Sequence, residues 1–119
     1  MDRFSLKPQF WYAAELIGKE FGPEIRSYSP LRVDRIIPRG RRRFSLSFYH
    51  AYYPEGVREK VYELETLERN EHFILARSSS HEPPRLILIH GITSDWLARH
   101  FGVSIPEHLD VQTWLARNA

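Results

Sequence analysis

The chain has 119 residues, 42% of them apolar and 13% aromatic, a size and composition that suit one hydrophobic core and argue against disorder along its length. It contains no cysteine, which excludes disulfides, thiolate metal sites, iron–sulfur clusters and a cysteine nucleophile. The formal charge is only +2, yet it is unevenly spread: Arg26 to Arg43 holds seven arginines against Asp34 alone, and Glu55 to Glu71 holds six glutamates against Arg58, Lys60 and Arg69.

Taken in chain order, the first predicted element is a helix from about Pro8 to Phe21. Proline is tolerated in a first helical turn, Phe10, Ala13, Ala14, Ile17 and Phe21 fall on one helical face, and Gly22-Pro23 is a stop. The residues from Gly22 to Pro30 read as a connection. Leu31, Val33, Arg35 and Ile37 then alternate with Arg32, Asp34 and Ile36 as a short strand, and Pro38-Arg39-Gly40 is turn chemistry. The strongest strand follows, with Phe44, Leu46, Phe48, His50 and Tyr52 on one face and Ser45, Ser47, Tyr49, Ala51 and Tyr53 on the other.

Pro54-Glu55-Gly56 marks another turn. The segment from Val57 to Leu67 fits either a helix or a strand, and the short punctuated links on both sides favour a hairpin that returns through "HFILARS". "SSSHEPP" is a loop, and "RLILIHGI" is a strand apolar on both faces, to be covered on each side. Thr93 or Ser94 caps a helix that stops at Gly102. Ser104-Ile105-Pro106-Glu107 has the form of a capping box for a second helix carrying Leu109, Val111, Trp114 and Leu115.

The expectation is therefore one α+β domain spanning residues 1–119: an N-terminal helix, a four- to five-stranded antiparallel meander sheet, and two short C-terminal helices packed on one face. Trp11, Phe21, Phe44, Leu46, Phe48, Leu75, Leu88, Trp96, Phe101 and Trp114 should form much of its core. The opening residues lack a basic-then-apolar leader, and no run approaches the roughly 20 apolar residues of a membrane-spanning helix, so a cytoplasmic location without membrane contact is expected.

The stretch from Pro38 to Tyr53, "PRGRRRFSLSFYHAYY", raises the main functional question. Arginines beside strand-borne aromatics can hold phosphates while the rings stack unpaired bases. On this reading Arg39, Arg41, Arg42 and Arg43 bind an acidic partner and Tyr49 and Tyr53 supply the stacking, with single-stranded nucleic acid favoured over an acidic protein surface. The alternative for the same charges is mutual neutralisation, the basic and acidic segments lying side by side as neighbouring strands.

Two other functions are compatible with the sequence. Exposed tyrosines and arginines suit a protein–protein interface, including an inhibitor or a self-associating homo-oligomer. A small enzyme could use His50 and His90 as acid and base with Glu63 or Glu65, although the residues point more to non-catalytic binding. Those two histidines resemble the pair of two-histidine phosphoesterases, but Tyr52 and Ile92 stand where a serine or threonine would hold a phosphate oxygen. The tail from Thr93 to Arg117 resembles a helix-turn-helix through Ala98, Gly102 and Val103. His108 departs from that pattern, and Arg117 alone could serve the reading helix, so two capped helices packed on a sheet are the preferred reading. No phosphate loop, metal-ligand spacing or cofactor motif is present, so neither metal nor cofactor is expected.

Overall fold

The segment Trp11–Lys19 decides the architecture. In the computed structural model, which describes residues 3–19, 24–50 and 59–118, this segment is an extended strand and not the helix its spacing suggests. Tyr12, Ala14 and Leu16 face one apolar cluster, whereas Trp11 and Ala13 face a second. A strand buried on both faces is a near-continuous apolar run, and such a run also matches helical spacing.

Six antiparallel strands follow one another around a closed barrel: β1 (Trp11–Lys19), β2 (Glu24–Gly40), β3 (Arg43–His50), β4 (Lys60–Arg69), β5 (Phe73–Ser78) and β6 (Arg85–Gly91). Strand β1 pairs with β2 on one side, from Trp11↔Arg32 to Lys19↔Glu24, and with β6 on the other, from Tyr12↔Gly91 to Ile17↔Leu86. The expected open sheet with a separate N-terminal helix is thereby corrected. Using β1 as a strand satisfies the backbone groups that β2 and β6 would otherwise present as edges.

The lumen is filled by alternate residues of all six strands, among them Leu31, Val33, Leu46, Phe48, Leu64, Ile74, Ala76, Ile87 and Ile89. Phe4 and Leu6, from the segment before β1, pack against the same cluster at one end. Phe4 donates its backbone N–H to the Asn70 carbonyl at 2.7 Å and stands edge-on to Tyr12, with ring centroids 5.6 Å apart. At the same end the Tyr12 hydroxyl accepts the Lys7 N–H at 2.8 Å.

Two bulges in β2 correct the expected strand faces. The register shifts between Val33 and Arg35 and again between Pro38 and Gly40. A bulge adds one residue to one strand, so the inward set passes from Val33 to Ile36, which packs on the lumen cluster, and Ile37 leaves the face assigned to it. Strand β2 also begins at Glu24, within the stretch expected to be a connection, and continues through Pro30. The hairpin reading of the following segment holds over β4 and β5, joined by Asn70-Glu71-His72, where the Asn70 side chain accepts the N–H groups of His72 and Phe73 at 2.8 and 3.0 Å.

Helices α1 (Ser94–Phe101) and α2 (Val111–Asn118) cover the outer face of β1. Their contact surface is a second core of Trp11, Ala13, Ile92, Trp96, Leu97 and Leu115. Thr93 is the N-cap of α1, its side chain accepting the Trp96 N–H at 3.1 Å, and Gly102 closes the helix in the left-handed region at φ 63°. The capping box expected at Ser104 does not start α2. Asp110 does so, accepting the Thr113 N–H at 3.2 Å, while Pro106 and Leu109 form a turn. From α2, Gln112 grips the Trp11 backbone twice, accepting its N–H and donating to its carbonyl, each at 2.8 Å.

The expected core is also corrected in part. Leu46, Phe48, Trp11 and Trp96 are buried, but Leu88 and Leu75 are half-buried on the outer face and Phe101 is 38% exposed. On β6 the fully inward residues are Ile87 and Ile89, one place either side of Leu88. Phe21 lies outside the described residues. No helix of the structure is long and apolar enough to cross a membrane.

Candidate functional site

Arg39, Arg41, Arg42 and Arg43 sit at or beside the β2–β3 turn, as the sequence implies. The turn uses two positive backbone angles, Gly40 at φ 136° and Arg42 at φ 64°, and the Arg42 carbonyl accepts the Thr66 N–H at 2.7 Å. The four side chains differ in their surroundings. Arg39 donates through Nε to Ser45 Oγ at 2.8 Å, and Ser45 donates onward to Glu63 Oε2 at 2.7 Å. Arg43 faces Glu65 at 3.9 Å, and Glu65 also meets Arg77 at 3.3 Å. Arg41 and Arg42 are exposed and make no ion pair among the described residues.

The β3–β4 ladder explains this pairing, because Arg43↔Glu65 and Ser45↔Glu63 are cross-strand partners. Farther along, Arg35 meets Glu59 at 3.3 Å and Asp34 at 3.4 Å, and Ser47 hydrogen-bonds both carboxylates. The Ser47 and Arg35 hydrogen bonds, in that order, hold the Glu59 carboxyl below its usual range. Ser45 and Ser47 lie on the polar outer face, but at 1% and 2% exposure they are sealed beneath these long charged side chains. Tyr49 is half-buried and carries the Arg32 guanidinium 5.0 Å from its ring centroid, with the Trp11 ring 5.9 Å from the same group. Tyr53 lies outside the described residues.

His50 and His90 are not brought together. His50 shares the inward face of β3 with Leu46 and Phe48. His90 points outward from β6, where Nε2 lies 2.9 Å from Glu15 Oε2 and the ring meets Trp96 edge-on at 6.0 Å. Glu63 belongs to the outer network with Arg39 and Ser45. A cleft joining both histidines with Glu63 or Glu65 is thus not what the strands build. Among the described residues, no three His, Asp or Glu side chains gather as a metal-ligand set.

A site that residue order did not reveal occupies the barrel end opposite Phe4. There a cavity of about 440 Å³ is walled by Ala14, Leu16, Leu31, Phe48, Ile87 and Phe101, with Ser27, Ser29, His50 and Tyr62 among the remaining lining residues. The register explains the convergence. Tyr12↔Leu31, Ala14↔Ser29 and Leu16↔Ser27 place the two serines on the inward face of β2, and Leu31↔His50 brings the end of β3 beside them.

Ser29 Oγ and His50 Nδ1 share a hydrogen bond, and Ser29 Oγ also lies 3.2 Å from the Pro30 carbonyl. Burial first, and then the positive charge of Lys60, push the His50 pKa down to about 4, so its ring is neutral near pH 7. Burial raises the Tyr62 hydroxyl above its usual value, against the opposing charge of Arg85. Tyr62 stands edge-on to Phe48 and to His81, at 4.7 and 4.8 Å, and His81 Nδ1 is 2.8 Å from the buried Ser78 hydroxyl. The cavity therefore combines an apolar wall with the neutral hydrogen-bonding groups of Ser27, Ser29, His50 and Tyr62. The sequence signal for it was the alternation in "SYSP", Ser27 to Pro30, which reads equally as loop composition. In comparisons with known proteins, no family model, curated protein or solved structure matches this chain.

Proposed function

We propose that this chain is a non-catalytic binding protein whose ligand is a small, largely apolar molecule held at the Ser29–His50 end of the barrel. One observation carries the reading: a cavity of about 440 Å³, lined by side chains from β1, β2, β3, β4 and β6 and reached by Phe101 of α1. Ligand pockets commonly measure roughly 300–1,000 Å³ and combine apolar walls with a few converging polar groups. The barrel ladder fixes that wall, so binding requires little ordering of the chain.

The test is titration with N-phenyl-1-naphthylamine, a neutral apolar fluorophore. Saturable enhancement at one site per chain is expected. It should be lost in Leu16→Trp, which fills the cavity, while the far-ultraviolet circular dichroism stays that of wild type. Absence of saturable binding to the folded wild-type protein overturns the reading.

A second reading, contact with an acidic partner through the β2–β3 turn, draws on Arg41 and Arg42, which are exposed there without an ion pair among the described residues. Single-stranded nucleic acid is the partner to try first, although Tyr49 lies toward the other end of β3, paired with Arg32 and away from Arg41 and Arg42. Filter retention of a single-stranded oligonucleotide should fall steeply with salt and disappear in Arg41→Ser/Arg42→Asn. No retention at low salt removes this version.

A further inference from the structure

At the barrel end opposite the Ser29–His50 cavity, we infer a separate binding site for a small organic anion, an oxyanion head on a compact apolar body, held by Arg42 and Arg69. Both side chains line a cavity of about 280 Å³ whose apolar wall is Leu6, Ile36, Phe44 and Ile74. Those four belong to the lumen cluster or pack against it, so the wall is the end of the barrel core. Ser5 and Thr66 add hydroxyl groups to the lining.

Two bulges shape this end. The pairing of β2 with β3 shifts register between Pro38 and Gly40, and that of β4 with β5 shifts between Thr66 and Glu68. A bulge bends its strand and re-aims the side chains beside it, and bulges gather at barrel rims. Pro38 and Thr66, one at each bulge, both line the cavity. Arg42 follows the first bulge in the left-handed region at φ 64°, and its carbonyl accepts the Thr66 N–H at 2.7 Å, which ties the β2–β3 turn to β4. Arg69 follows the second bulge as the cross-strand partner of Ile74 and donates through Nε to the Phe4 carbonyl at 2.7 Å. That bond uses one of the five guanidinium N–H groups and neutralises no charge.

Charge distinguishes the site. Among the described residues, Arg42 and Arg69 meet no carboxylate, whereas Arg43, the third arginine of the lining, faces Glu65. The described lining residues include no aspartate or glutamate. Two guanidinium groups without a counter-charge beside an apolar wall match a ligand that is charged at one end. Each fork can bond two oxygens of a carboxylate or a phosphate, with geometry an ammonium lacks. The volume lies at the small end of the roughly 300–1,000 Å³ of ligand pockets, which suits an apolar body of about one ring.

The experiment follows backbone amide shifts while the protein is titrated with benzoate, phenyl phosphate or benzyl alcohol. Saturable shifts at Leu6, Thr66 and Ile74 are expected with an anion at a concentration about ten-fold lower than with the alcohol, the size of one charged hydrogen bond. The tighter of the two anions identifies the head group. Arg42→Asn, which tolerates the positive φ, and Arg69→Gln should each weaken anion binding about ten-fold. Arg41→Ser removes an exposed arginine outside the lining and should leave it unchanged. Equal weakening by Arg41→Ser overturns the site, because diffuse charge then explains the binding. So does equal binding of anion and alcohol, or the absence of saturable shifts at these amides. None of these outcomes bears on the Ser29–His50 cavity, which the fluorophore titration tests by itself.

Discussion

Ser29 on β2 and His50 on β3 are joined by a hydrogen bond at the cavity end of the barrel, and the buried imidazole is neutral near pH 7 because its pKa is depressed to about 4. An unfolded histidine titrates near 6.5, so as pH falls below that value the unfolded chain takes up the proton first. The stabilisation from neutral His50 is therefore complete above about pH 6.5 and is lost progressively as pH falls through about 4.

The corresponding test is thermal melting between about pH 7.5 and about pH 5, above the range in which Glu59 and other carboxylates titrate. Wild-type melting temperature should decline across this interval. His50→Asn, which keeps a hydrogen-bonding group near the Nδ1 position, should show a flatter profile. Parallel profiles for the two proteins would contradict the neutral, buried assignment.

On β6, burial alternates with the pleat, and Ile89 is fully buried in the lumen whereas Leu88 lies half-buried on the outer face. Ile89→Ala should cost about 2–5 kcal/mol in urea unfolding, from lost transfer energy and the void left in the barrel. Leu88→Ala should cost less than half as much as Ile89→Ala. The reverse order would shift the inward face of β6 by one residue.

Helix α1 depends on its cap. Thr93→Ala removes the acceptor for the Trp96 N–H and should destabilise the protein by about 1 kcal/mol, while Thr93→Ser should recover most of the loss. Equal stability of the alanine and serine variants would show that the side-chain cap contributes nothing.

Beneath α1, His90 Nε2 and Glu15 Oε2 lie 2.9 Å apart with side-chain exposures of 24% and 12%, and Arg26 approaches the same carboxylate at 3.6 Å. A double-mutant cycle with Glu15→Gln and His90→Phe should give a coupling of about 1 kcal/mol, more than a fully exposed pair commonly provides. Additive effects of the two substitutions would reduce this contact to coincidence.

Local chemistry made much of the chain legible. The alternation in β3, the β4–β5 return and the Thr93 and Gly102 boundaries of α1 depend on nearest neighbours, so they can be read in order, whereas the turn expected at Pro38-Arg39-Gly40 comes later, at Arg41-Arg42, because β2 runs on to Gly40. The charge asymmetry was equally visible in sequence. Which use the protein makes of it was not, because Arg39 and Arg43 meet Ser45–Glu63 and Glu65 only once β3 and β4 are in register.

The sequence by itself determined the alternating strand β3, the capped helix α1 and the absence of cysteine chemistry. Tertiary structure alone decided that Trp11–Lys19 is a strand, since its apolar residues are divided between a lumen and a helix-covered outer face, and its second ladder is with β6, far along the chain. The cavity follows from that closure. Ser29, His50 and Tyr62 become neighbours only when strands pair around a complete circle, and hydrogen-bond register acts across space where sequence periodicity acts only along the chain.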